Sequence, residues 1–122
     1  MASSLKEEAN TAFKAKDFKK AKELYQKALN YLDFNESEEA VKLLRGVRLN
    51  LSLMYCREKN YDEAIEQATK VLEKDENDVK ALFRRATASF KKKDLNSAKN
   101  DCKKAYNLDS KNKPLISLFK KV

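Results

Sequence analysis

Apolar side chains recur three and four positions apart through most of the chain, and short polar interruptions break the pattern at intervals. That spacing lines one face of an α-helix. It predicts helices over about Ser4 to Ala15, Phe18 to Tyr31, Glu38 to Glu58, Tyr61 to Glu73, Val79 to Lys92 and Leu95 to Tyr106. A seventh is expected to start at Pro114, because proline is tolerated in the first helical turn, and to run through Leu115, Ile116, Leu118 and Phe119. Asp17, Asn60 and Asp94 each precede a new periodic stretch and are expected to cap it by accepting from unpaired backbone N–H groups. Asn35, followed by Glu38, has the form of a capping-box start for the third helix.

The pattern also repeats on a longer scale. Asp17-Phe18-Lys19-Lys20-Ala21, Asn60-Tyr61-Asp62-Glu63-Ala64 and Asp94-Leu95-Asn96-Ser97-Ala98 share one form, a polar cap, a large apolar residue and an alanine three places on. The alanines are 43 and 34 residues apart. Placed in register, the units align small residues in each first helix (Ala9, Ser52, Ala86) and two columns in each second helix (Tyr25, Ala68, Cys102 and Ala28, Val71, Ala105). Small side chains let helices approach and larger ones fill the gaps, so these columns are core. A 34-residue period is that of tetratricopeptide helix pairs, and 43 is that period plus nine inserted residues. If all nine were helical, the first helix of the second repeat would be longer by about 13 Å.

The register resembles the tetratricopeptide domains of chaperone-associated proteins, and the extended third helix is similar to that of the large immunophilins. The resemblance implies an all-α fold, a right-handed superhelical stack of three helix–turn–helix repeats closed by a C-terminal capping helix. The expected organisation is one domain over 1–122, with repeats at about 2–35, 45–78 and 79–112, an insertion at about 33–44 and the cap at about 114–122.

Composition agrees with long helices and few tight turns, since the chain of 122 residues has one glycine, Gly46, and one proline, Pro114. A chain of this length can form a core without staples. No apolar run reaches the ~20 residues of a membrane span, and no signal-peptide pattern opens the chain, so a soluble, cytoplasmic, monomeric protein is expected. Cys56 and Cys102 form no CxxC pair and there is no histidine, so both are expected as reduced packing residues, with no metal and no cofactor. Without histidine, a phosphate-binding glycine loop or a nucleophile–base pair, no catalytic residue is predicted and the chain is read as a binding module. The aspartates and glutamates are expected mostly on exposed faces. Large immunophilins carry a prolyl isomerase domain before their repeats; this chain has no such segment.

The charge of +8 points towards an anionic partner, although 27 basic and 19 acidic residues are spread along the whole chain. Lys14, Lys16, Arg57, Lys59, Lys91, Lys92 and Lys93 fall at the ends of first helices, where the dipole favours cations. More pointed are Lys6 and Asn10, four apart on one helix, and Lys80 and Arg84, four apart on another. Neither Lys6 nor Arg84 has a carboxylate at helical neighbour spacing, so both charges are available to an anion from outside. With Asn50 they match the five positions of the family's two-carboxylate clamp, carried in the family by the first helices, which line the inner groove.

What the clamp resemblance implies is an extended peptide ending in Glu-Glu-Val-Asp, the tail of the ninety- and seventy-kilodalton heat-shock chaperones. Lys6, Asn10 and Asn50, with Lys80, resemble the part that holds the terminal carboxylate; Arg84 resembles the part that supports the upstream backbone and side chains. Phe13, Leu53, Cys56, Phe83, Thr87 and Phe90 fall beside these positions, either as apolar pockets for the tail or as ordinary inter-helix core. Two other functions are carried: a general scaffold or organelle-import receptor that holds internal segments, and RNA binding through the lysine-rich edges. The second of these lacks arginine-rich or aromatic-interleaved patches.

Overall fold

A computed structural model describes residues 2–32 and 37–122. They form seven α-helices and no strand: α1 (Ala2–Lys14), α2 (Phe18–Leu32), α3 (Glu38–Arg57), α4 (Tyr61–Lys74), α5 (Val79–Lys91), α6 (Leu95–Leu108) and α7 (Lys113–Lys121). α3 has 20 residues against 13 in each of α1 and α5, which lengthens it by roughly 10 Å.

Each odd-numbered helix pairs with the even one after it, and α7 packs on α6. Across the pairs, α1 lies beside α3 and α3 beside α5, while the even-numbered helices α2, α4 and α6 make no comparable approach to one another. The stack therefore curves with α1, α3 and α5 on its inner side. All nine residues of the three aligned columns are buried, from Ala9, Ser52 and Ala86 to Ala28, Val71 and Ala105. α3 is the central partition: Val47, Leu51 and Met54 join a cluster with α1 and α2, whereas Leu49 joins one with α4, α5, α6 and α7. Each fully buried leucine or methionine contributes about 1.5–3 kcal/mol from burial. Leu115 and Leu118 of α7 complete the second cluster, so the short last helix covers an edge that would otherwise be wet.

The three turns inside the helix pairs are built alike. Lys16, Lys59 and Lys93 have φ of 64°, 67° and 73°, in the left-handed region where a Cβ is strained. The next residue then donates its N–H five places back, Asp17 to Ala12, Asn60 to Tyr55 and Asp94 to Ser89. This is the Schellman closure, with lysine where glycine is usual.

The caps correct one expectation, at Asn60. Asp17 and Asp94 accept from the N–H groups of Lys20 and Ser97, but Asn60 makes no side-chain cap bond. α3 is capped by Ser37, whose hydroxyl accepts from Ala40 N–H; the expected Asn35 cap lies outside the described residues. Serine at this place supplies the short oxygen the first turn needs.

Candidate carboxylate-binding groove

Lys6 and Asn10 on α1, Asn50 on α3, and Lys80 and Arg84 on α5 all stand on the three inner helices. α1 and α3 meet through two successive levels of side chains. At one level Lys6 lies so close over Gly46 that a Cβ added there would come within 2.7 Å of the lysine Nζ. One turn on, Asn50 Nδ2 approaches Asn10 Oδ1 at 3.5 Å and donates to the Tyr25 hydroxyl at 2.9 Å. The Tyr25 hydroxyl in turn donates to Asn10 Oδ1. Tyr25 is fully buried on α2, and burial, against the bond from Asn50, pushes its phenol above the usual range, so it stays protonated at neutral pH.

On α5 the arrangement is different. Among the described residues Lys6, Lys80 and Arg84 form no ion pair. Arg84 Nε is the one buried side-chain polar atom there without a hydrogen-bond partner. Burial draws the Arg84 guanidinium below its ordinary range; the nearby Cys56 works against this and Arg57 adds to it. A buried N–H donor left unpaired costs about 1–3 kcal/mol, recovered only if the side chain shifts to let a carboxylate or peptide carbonyl oxygen reach it, because Nε is closed to solvent as it stands. The geometry suits that ligand, since a guanidinium grips a carboxylate through parallel N–H bonds.

Three other arginines are satisfied internally. Arg85 forms a two-bond pair with Asp101, at 2.7 Å and 2.9 Å, and also reaches Thr69. Arg45 holds Asp78, and the buried Arg48 donates to Gln67 at 2.9 Å. Most described carboxylates are exposed as expected; Asp78 and Asp101 are the buried exceptions, because each anchors an arginine of another helix. These pairs span separate elements, so neighbour spacing along one helix could not reveal them.

Comparison with known proteins locates the fold. The family model described as tetratricopeptide repeat matches residues 79–112. The C-terminal TPR-containing domain of a Plasmodium falciparum protein named as FK506-binding is 30% identical, with a TM-score of 0.90 over 98% of this chain and 83% of that one. The chain belongs to the tetratricopeptide repeat family. The myosin chaperone UNC-45 from C. elegans, solved in complex with an Hsp90 peptide, is 30% identical at a TM-score of 0.86, over 99% of this chain and 13% of that one. The second TPR domain of human RPAP3, solved in complex with an HSP70 peptide, is 27% identical at a TM-score of 0.81, over 98% and 92%. The curated relative unc-45 homolog B of Xenopus laevis is 34% identical over 94% of this chain, which spans only 12% of that protein's length. Tetratricopeptide domains are a protein-interaction fold, and no helix among the described residues is long and apolar enough to cross a membrane.

Within this tetratricopeptide domain the six neighbouring apolar positions divide. Phe13 stacks edge-on with Phe18 at 5.5 Å, and Arg57 covers both rings. Phe83 and Phe90 are half-buried against the second core cluster, and the Thr87 hydroxyl donates to Phe83 O within α5. Leu53 is half-buried on α3. Cys56 is buried and free, as is Cys102; burial pushes the Cys56 thiol up, and Cys102 is pushed up to about 11 by burial and then Asp101. Both are thiols at neutral pH, not thiolates. Two concavities of about 410 and 550 Å³ open on α1 and α2, and none of Lys6, Asn10, Asn50, Lys80 and Arg84 lines either.

Proposed function

We propose that this domain is a co-chaperone adaptor that holds the acidic C-terminal tail of a cytosolic heat-shock chaperone in extended form. Lys6, Asn10, Asn50 and Lys80 hold the last residue, which bears the terminal carboxylate, and Arg84 takes the upstream backbone and side chains. The observation that carries this reading is the buried, partnerless Nε of Arg84 on α5, whereas Arg45, Arg48 and Arg85 are paired. The bound Hsp90 and HSP70 peptides of the similar UNC-45 and RPAP3 structures support the same class of ligand.

A short peptide that must be ordered on binding is expected to bind at micromolar Kd, about 8 kcal/mol, and more weakly as salt rises. The test is fluorescence anisotropy with a labelled peptide ending in Glu-Glu-Val-Asp and one lacking the final Asp. The full peptide should bind at least tenfold better, and Arg84→Glu should remove that binding with the helical circular dichroism unchanged. Equal binding of both peptides would favour a scaffold for internal segments. Tails of the ninety- and seventy-kilodalton chaperones, titrated side by side, identify the preferred owner. RNA binding along the lysine-rich edge finds less support, because Lys16, Lys59 and Lys93 shape the turns and Lys92 pairs with Asp62.

A further inference from the structure

The two asparagines of the groove can each present either end of a side-chain amide, and an anion accepts only from N–H. We propose that the Tyr25 hydroxyl is the positioning group that fixes both amides, so that α1 presents donors and α3 presents an acceptor beside them; this rests on the carboxylate reading above. The hydroxyl donates to Asn10 Oδ1, which occupies that oxygen and leaves the Asn10 N–H groups for a carboxylate. The same hydroxyl accepts from Asn50 Nδ2 at 2.9 Å, which leaves Asn50 Oδ1 for a backbone N–H of the peptide. A flipped Asn10 would face the carboxylate with a carbonyl oxygen and leave the buried phenol without its acceptor.

The fold does not itself need a hydroxyl at this place. The equivalent positions of the other two repeats hold Ala68 and Cys102, both fully buried and neither able to hold an amide this way. Tyr25 lies on an outer-layer helix and reaches the groove only through its oxygen, so it would not touch the ligand. It therefore acts through Asn10 and Asn50.

The experiment compares free-acid and C-terminally amidated Glu-Glu-Val-Asp peptides on the wild-type chain, on Tyr25→Phe and on Ser52→Ala. Ser52→Ala removes another buried hydroxyl, bonded to Ala64 O at 2.8 Å, and controls for general loss of stability. Tyr25→Phe should lower the preference for the free acid about fivefold to tenfold, while Ser52→Ala leaves it as in wild type. An unchanged preference in Tyr25→Phe overturns the proposal. If the wild-type chain shows no preference, the carboxylate reading fails, and side-chain NMR still decides the role of Tyr25. In the wild type the Asn10 and Asn50 NH2 signals should be dispersed and the Tyr25 hydroxyl proton should show a cross-peak to Asn50 Nδ2 protons. Freely rotating amides without that cross-peak overturn the proposal even if Tyr25→Phe does not fold.

Discussion

Arg84 and Arg85 are consecutive on α5, yet they face different surroundings. Arg85 turns towards α6 and is held by both oxygens of Asp101, whose hydrogen bond, over the opposing effect of burial, raises the guanidinium above its ordinary range. Arg84 lies near Cys56 and Arg57 of α3, where burial lowers it and its Nε meets no acceptor. One arginine joins two helices, and the other leaves its Nε without an internal partner. The same division separates Arg45 and Arg48, engaged with Asp78 and Gln67, from Lys6 and Lys80. Residue type alone does not mark a binding site in a lysine-rich chain, and neither does an exposed lysine without an ion pair; a buried donor without a partner, as at Arg84 Nε, is the rarer sign.

Substitutions should split the two arginines. Arg85→Met leaves Asp101, 11% exposed, without its counter-charge, and is expected to lower the stability by about 3 kcal/mol in urea unfolding. Arg84→Met should instead keep or raise stability, by roughly 1 kcal/mol, because an unpaired desolvated cation is removed. The same variant should weaken the acidic peptide by about thirtyfold, close to 2 kcal/mol. If Arg84→Met destabilises as much as Arg85→Met, the contrast between them is lost.

The turns offer a smaller test of a third kind of basic residue, the structural lysine. Lys16→Gly, Lys59→Gly and Lys93→Gly should each stabilise by about 1 kcal/mol in thermal melts, since glycine takes a positive φ without strain. Peptide affinity should stay as it is. Loss of stability in all three would mean the lysine side chains contribute more than their strain costs.

Acid should act through the paired carboxylates. Burial alone would raise Asp78, but hydrogen bonds from Arg45 and from Ala81 N–H outweigh it and hold the carboxyl below its ordinary 3.8. A lowered folded-state pKa adds stability that is fully present above about pH 3.8 and fades as pH falls through the lower folded value. Thermal melts between pH 7 and 2.5 should show that decline, and Arg45→Met should blunt it. An equally steep decline in Arg45→Met would place the acid sensitivity elsewhere.

Much of this organisation was legible in the residues. Columns such as Ala9, Ser52 and Ala86 recur because repeated helix pairs need the same close approach at the same place. Helix bounds followed from periodicity to within about two residues, the usual fraying at ends. What escaped notice lies between elements or in backbone conformation. Nothing in Lys59 announces a left-handed φ, and nothing in Tyr25, read as a core column, announces the two asparagines it touches. Asp78 and Asp101 looked like solvent-facing carboxylates because their arginines stand 33 and 16 residues away. The absence of a local carboxylate near Arg84, by contrast, was visible along α5 itself, and it marked the group that the fold leaves unpaired.

The central claim is that the inner groove takes a chain-terminal carboxylate. Isothermal titration calorimetry with the Glu-Glu-Val-Asp peptide as free acid and as C-terminal amide tests it most directly. The account predicts micromolar binding of the acid, weakened by salt, and at least a tenfold loss on amidation. Equal affinity for the two forms would contradict it.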